Sequence, residues 1–503
     1  MITSSRLPRR RPLRAAAPPP VRLPLLLLLL LVACSARRPG DAASAVDFGC
    51  GRIANHGLVA VGRIPAAQRD RFGETFGSCS GLAVKRWRRV GGRYEGTLVA
   101  LPDRGFTPGG TVTVDYADRV NFLEVTLTPG GGGGGGRGTL DARLGGTLKL
   151  TDGEGRPLSG LDPARVRKAS GGFPMLPKTS AGRVAVDPEA LALMPDGTFF
   201  VGDEYGPYVY RFSARGKLIS AVRPPDAFVP VRKGEVNFSS NNPPAGGAPP
   251  VPPDPVTGRQ NNQGFEGVTL TPDGEHLVAV LQSATRQDGG DAPGTRRFTR
   301  ALVYDIRKPK RPKLRAEYVV PLPLFQNATG STLVAAQSEV LAIGNNRFLM
   351  LSRDTGNGFG VGGATSRYRA VDLAVPRHFD ELMPVAPKGV LDPIVKPAKL
   401  TPFININDNS ELAKFGLHNG EPNDVTNLSE KWESLALASA LDPDRPDDYF
   451  LFVGNDNDFL TTDGFQVGVP YNAGVDVPTT ILVYRLTIPK SVSGGCLAQK
   501  RSD

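Results

Sequence analysis

The sequence predicts an all-β fold, and within that class a β-propeller, on three observations. Its apolar runs are short and bounded by Gly, Pro, Asn and Asp. Gly (60) and Pro (46) together make up about a fifth of the 503 residues, a loop-rich balance that suits many short strands better than long helices. One pattern also recurs: a glutamate, an apolar run, a turn, and a second apolar run ending in acidic or amide residues. The copies begin at Glu189, Glu266, Glu339 and Glu433. Repetition of this kind decides the architecture before any other signal.

The elements follow in chain order. Residues 1–36 read as a signal peptide, with cleavage somewhere in 33–45. Six arginines up to Arg22 precede an apolar core from Leu23 to Ala33 and then small residues. That core is too short for a comfortable transmembrane helix. The implied location is secreted, extracellular or vacuolar. The run Leu31-Val32-Ala33-Cys34 also fits a bacterial lipoprotein box, which leaves a membrane-anchored lipoprotein through Cys34 as the alternative. Residues 46–490 form one domain and 491–503 a C-terminal tail.

Within the domain, the Pro-Asp-Gly turns at Pro195–Gly197 and Pro272–Gly274 each join two apolar runs. Pro presets φ there and Gly supplies positive φ. A third strand with a shared pattern follows each hairpin, as at Tyr208–Phe212, Leu302–Ile306, Tyr368–Leu373 and Leu482–Leu486. A degenerate copy starts at Ser80-Gly81, and its second run (Gly96–Leu101) leads to Asp103-Arg104-Gly105. Counting this copy and residues 138–188 gives six blades, with five or seven as alternatives. The segments Pro224–Asn262, Arg286–Arg297 and Pro387–Pro402 are long irregular inter-strand loops. A series of β-sandwiches is the rival, but it leaves the recurrence of the same residue types unexplained.

Charge excludes a class of partner. The formal net charge is +11, and the leader holds six arginines and no acids, so the mature chain carries +5. That is too little, over some 470 residues, to argue for nucleic acid. Cys50, Cys79 and Cys496 remain after the leader, enough for one disulfide whose pairing the sequence leaves open. Three glycosylation sequons begin at Asn237, Asn327 and Asn427.

The repeated glutamates suggest the chemistry. In a hairpin, a residue that begins one strand and residues that end its antiparallel neighbour share one end. Glu189, Glu266, Glu339 and Glu433 therefore gather with Asp103, Asp203, Glu204, Asp354 and Asp456 at one mouth of a central channel. So many hard oxygen donors, with four histidines and no CxxC, suit Ca²⁺, or Mg²⁺, rather than zinc. The bland alternative is structural, with each carboxylate accepting N–H bonds of its own blade. Arg104 and Arg353 each adjoin a repeat-end aspartate. They are candidates for holding an anionic substrate, or equally for pairing with those carboxylates. No G-x-S-x-G elbow supports a hydrolase serine.

Three segments carry a family resemblance: Phe265–Val268, Gly202–Tyr208 with Phe212 and Gly216 after it, and Ser352-Arg353-Asp354. Over roughly residues 75 to 488 the chain resembles the phytase-like domain family (esterase-like activity of phytase). The resemblance implies a secreted or periplasmic propeller-like domain that hydrolyses phosphoesters or esters. It carries no catalytic residue over by itself. Calcium-dependent propeller phytases offer an analogy of mechanism, in which clustered carboxylates hold ions that bind phosphate and activate water.

The expectation is an exported, monomeric metal-assisted hydrolase of a small anionic phosphoester or ester, with no nucleic-acid partner and no membrane span once the leader is removed. Glu189, Glu266, Glu339, Glu433, Asp203, Asp354 and Asp456 would bind metal. Glu266 or Glu204 would act as general base, and Arg104 and Arg353 would orient substrate. A non-catalytic binding propeller and a calcium-dependent lactonase-type hydrolase are the alternatives.

Overall fold

The computed structural model describes residues 43–47, 51–77, 79–130, 137–344, 346–375 and 385–493. The leader, Cys34, Cys50 and Cys496, and the expectations placed on them, lie outside these residues. Among the described residues the fold is all-β, with only one-turn helices. None of those helices is long and apolar enough to cross a membrane.

The strands group into antiparallel units of four. The first unit is Gly81–Val90, Arg93–Leu101, Arg119–Thr128 and Thr139–Lys149. The second runs Pro188–Leu193, Phe199–Asp203, Val209–Phe212 and Leu218–Val222. The third is Phe265–Leu270, His276–Leu281, Phe298–Asp305 and Lys313–Pro321. The fourth is Ala336–Gly344, Arg347–Arg353, Arg369–Val375 and Lys399–Asn405. The fifth takes Lys431–Ser439, Asp448–Asp456 and Thr479–Thr487 from the C-terminal region, and its outer strand, Arg52–Ile64, from near the N-terminus. A parallel bridge between Val61 and Thr139 joins the fifth unit to the first in one continuous sheet.

Residues 138–188, expected as a unit of their own, do not form one. Thr139–Lys149 is the outer strand of the first unit, and Arg165–Arg167 pairs only with Leu176–Lys178. The predicted Pro-Asp-Gly turns are present: Gly197 and Gly274 adopt φ of 82° and 71°.

Five apolar layers lie between successive units and close on themselves. Side chains of a strand alternate between faces, so a strand covered on both sides reads as a continuous apolar run. Phe199 and Val201 pack back onto Val99 and Leu101 of the first unit, whereas Phe200 packs forward onto Phe265 and Val268 of the third. Val278 and Val280 meet Val340 and Met350, and Leu349 and Leu351 meet Trp432 and Val453. The circle ends where Phe450 and Phe452 of the fifth unit pack on Tyr94 and Leu98 of the first. The first strand of each unit touches the first strand of the next, all the way round. The start of every hairpin therefore faces the axis.

Candidate functional site: a buried chain of carboxylates

The innermost strands do not run straight into the axis. In the second, third and fifth units the pairing register skips one residue, and the residue left over is Glu189, Glu266 or Glu433. Each is thus the extra residue of a β-bulge, a device that re-aims one side chain at the cost of one ladder position. In the fourth unit the skipped residue is Ser338, and Glu339 pairs in register with Leu351. The repeat as read in the sequence was one residue out there, and Ser338 is the true counterpart. A slip of one residue reverses the face. Accordingly Glu339 leaves the group: its Oε1 accepts N–H bonds from Val340 (2.8 Å) and from Val268 of the third unit (3.3 Å). Glu339, expected beside the other three, joins no carboxylate cluster with them.

Glu189, Glu266 and Glu433 open onto a cavity of about 840 Å³, together with Gln263, Gln282, Arg296, Phe325, Arg353 and Lys431. All three are buried (2–7% exposed). Away from the cavity the acids continue as a chain of three overlapping groups. Glu189, Glu204 and Glu266 form one, Asp103, Asp187 and Glu189 the next, and Asp103, Asp456 and Asp458 the third. Within each group, one oxygen per residue lies within 4.8 Å of the others. The close approach of the third unit to Glu204 requires Gly264, where a Cβ would stand 2.4 Å from the Glu204 Cα.

Crowding without solvent raises the cost of ionisation. Burial, then Asp187, pushes Glu204 up to about 8 and Asp103 up to about 7, against the opposing charge of Arg104. Burial, then Glu266, raises Glu189, and burial, then Glu204, raises Glu266. Burial likewise raises Asp456, with Lys431 opposing and Asp458 adding to the rise. Glu433 differs. Burial works against its charge, but Lys431 and Arg353 outweigh it and hold the carboxyl below its ordinary range.

The arginines singled out by sequence lie in this region, committed to acids. Arg104 donates to Asp187 at 2.8 Å and to Asn262, and Arg353 donates to Glu433. Lys431 bridges Asp458 (2.7 Å) and Asp456 (3.4 Å).

Two predicted ligands lie elsewhere in bonding terms. Asp203 spends its oxygens on the N–H groups of Asp187, Tyr205 and Gly206, at 2.8–2.9 Å. Asp354 borders the cavity but accepts from the Ser366 hydroxyl (2.6 Å) and the Arg367 N–H (2.7 Å). Both organise their own loops, and neither joins the three carboxylate groups.

Sequence reasoning missed Asp187 and Lys431. Asp187 stands two residues before Glu189 and Lys431 two before Glu433, positions that only the bulges carry to the axis. Asp458 lies two residues after Asp456, and a left-handed φ of 51° accompanies its ion pair with Lys431.

Of the sequons, Asn327 sits in a loop bordering the cavity, its Oδ1 accepting from Thr329 and Ser331. Asn237 is half-buried against Arg232. Asn427 is 3% exposed, and its amide donates to Ala364 and Asn423. A glycan on Asn427 is incompatible with that packing. Cys79 is buried and in no disulfide among the described residues.

The donor set suits a divalent cation by its chemistry. Both oxygens of Glu204 and Oε2 of Glu266 are sealed from solvent, with no amide or hydroxyl donating to them, and the two carboxyls meet each other. Every donor in the three groups is a carboxylate oxygen, the ligand type of hard cations.

Residues 74–459 match the model of a family described as "Phytase-like: Esterase-like activity of phytase". An uncharacterized secreted protein of Arthroderma benhamiae is 38% identical over 451 residues, covering 81% of this chain and 88% of that protein. Among solved structures, a PQQ-bound aldose sugar dehydrogenase from Streptomyces coelicolor covers 86% of this chain and 98% of its own, at 10% identity and a TM-score of 0.26. A proposed 6-phosphogluconolactonase from Bacteroides uniformis covers 80% and 88%, at 10% identity and a TM-score of 0.24.

Proposed function

The chain belongs to the phytase-like family, and from that premise we propose that it is an exported hydrolase of small phosphate or carboxylic esters assisted by divalent cations. The observation that carries this reading is the chain of three carboxylate groups, with the solvent-sealed Glu204 and Glu266 carboxyls meeting at its core. Buried acids that merely shaped the fold would be bonded to amides, as Asp203 and Glu339 are. We read the five units as the blades of a propeller, with the cavity at one mouth of its axis.

Glu189, Glu204 and Glu266 would hold one ion, and Asp103, Asp187, Asp456 and Asp458 would hold others, with Ca²⁺ favoured and Mg²⁺ the alternative. A bound ion of this kind polarises an ester oxygen and lowers the pKa of a coordinated water. The residues supply the rest. Glu266 borders the cavity while contacting Glu204 beneath it, so it can take a proton from attacking water and share it with Glu204. Lys431 and Arg353 keep Glu433 ionised on the cavity floor. The rim formed by Phe325, Asn327 and Thr329 narrows access to a small substrate. Export is supported by the leader and by the secreted relative.

The test is hydrolysis of phytate, an aryl phosphate and an aryl acetate by the mature chain, with Ca²⁺ and with chelator. Chelator-sensitive release from any of the three, abolished by Glu266→Gln, is expected. No turnover by demonstrably folded protein would move the assignment to a binding propeller.

A further inference from the structure

Four cations border the cavity: Arg296, Arg353, Arg367 and Lys431. Arg353 and Lys431 are neutralised by Glu433, Asp456 and Asp458. Arg367 is exposed, and its backbone N–H donates to Asp354. Arg296 is different in kind. Its Nε is sealed from solvent and has no hydrogen-bond partner, and among the described residues no carboxylate pairs with it. Its backbone is held on both sides, by N–H donation to Ala292 and by acceptance from Ala284, each at 3.3 Å. Burial lowers its pKa, and the charge of Arg353, which lines the same cavity, lowers it further.

A half-buried guanidinium that shares its cavity with a second cation, with no anion of its own, is an unfavourable arrangement in the free protein. Arg104, Arg353 and Lys431 each carry acids among the charges acting on them. Arg296 carries none, although acids crowd the adjacent floor. The arrangement becomes favourable once an anionic oxygen enters, because the planar fork bonds such oxygens bidentately. Phe325, Leu333 and Val334 add apolar surface to the same cavity.

We propose that Arg296 is the substrate-binding residue of this cavity that takes an anionic oxygen group, and so discriminates anionic esters from neutral ones. This deepens the hydrolase reading and rests on its cavity. It moves the anion-binding role from Arg104 and Arg353, which are internally paired, to a loop residue.

The experiment measures binding of inorganic phosphate by calorimetry, with Ca²⁺ present, to the wild type, Arg296→Gln and Arg296→Lys. Aryl phosphate and aryl acetate kinetics are measured on the same proteins. Arg296→Gln should weaken phosphate binding at least tenfold and raise KM for the aryl phosphate by a similar factor. The thermal midpoint should not fall, since an unpaired buried charge is removed, and KM for the aryl acetate should shift far less than KM for the aryl phosphate. Arg296→Lys should recover part of the binding. Equal phosphate binding by wild type and Arg296→Gln, or equal losses on both esters, would overturn the proposal, as would absence of phosphate binding by the wild type. Phosphate binding that depends on Arg296, in a protein that turns over no ester, would sustain the anion site while removing the hydrolase reading. Acetate turnover without phosphate binding would do the reverse.

Discussion

Arg353 donates a hydrogen bond to Glu433 across the boundary between the fourth and fifth units, from 80 residues earlier in the chain, and both side chains are under a tenth exposed. Breaking such a buried pair from one side leaves a charge without a counterion. Arg353→Met should therefore destabilise by about 3–5 kcal/mol. Glu433→Leu added to Arg353→Met should recover much of that loss. Denaturant melts of the two variants check this, and a double variant no more stable than the single would refute it.

The register difference between Glu266 and Glu339 separates two glutamates that look alike in sequence. Glu266→Gln should lower kcat by at least a hundredfold with little change in stability. Glu339→Gln should cost about 1–2 kcal/mol, since the amide must replace a carboxyl that accepts two buried N–H bonds, and should leave kcat within about twofold because it touches no reacting group. Parallel kinetics and thermal melts of the two variants decide it.

Stability should depend on pH and cation together. Asp103 and Glu204 are raised in the folded chain, to about 7 and about 8, from ordinary values of 3.8 and 4.5. A folded pKa above the unfolded one gives stability that is complete below the unfolded value and lost as pH rises through the folded value. In chelator, the thermal midpoint should thus fall between pH 5 and 8. Ca²⁺ at a hundredfold excess over Kd should restore about 2.7 kcal/mol, and more readily at pH 8 than at pH 5. A chelated protein that gains stability over this range would contradict the assignment.

Cys79 provides a probe of folding. Burial raises its thiol to about 12, so little thiolate forms and none is accessible. Alkylation at pH 8 should be undetectable in native protein and rapid in denaturant. Labelling of native protein at a similar rate would show that the interface between the fifth and first units opens.

Much of this was legible in the residues. The Pro-Asp-Gly turns, the all-β class and the gathering of Glu189, Glu204, Glu266 and Asp456 all follow from pattern and strand polarity. What was not legible depends on register. Ser338 and Glu339 are adjacent, and nothing local says which is squeezed out of the ladder. Nor does the sequence near Thr139–Lys149 reveal that it completes a sheet begun at Gly81. Asp203 sits in the most distinctive heptapeptide of the chain, yet its distinction is conformational, as three N–H groups converge on it. Arg296 lies in a segment that reads as featureless loop, and its interest comes from what fails to surround it.

The outer strand of the fifth unit, Arg52–Ile64, has a consequence for biosynthesis. It emerges among the first folded residues, but its partner Thr479–Thr487 is among the last. Until translation is nearly finished, that early strand has one unsatisfied edge, and loop closure across more than four hundred residues must precede its pairing. The ring thus cannot be completed during synthesis. A chain truncated before Thr479 would keep that sheet edge open and so be prone to edge-to-edge pairing.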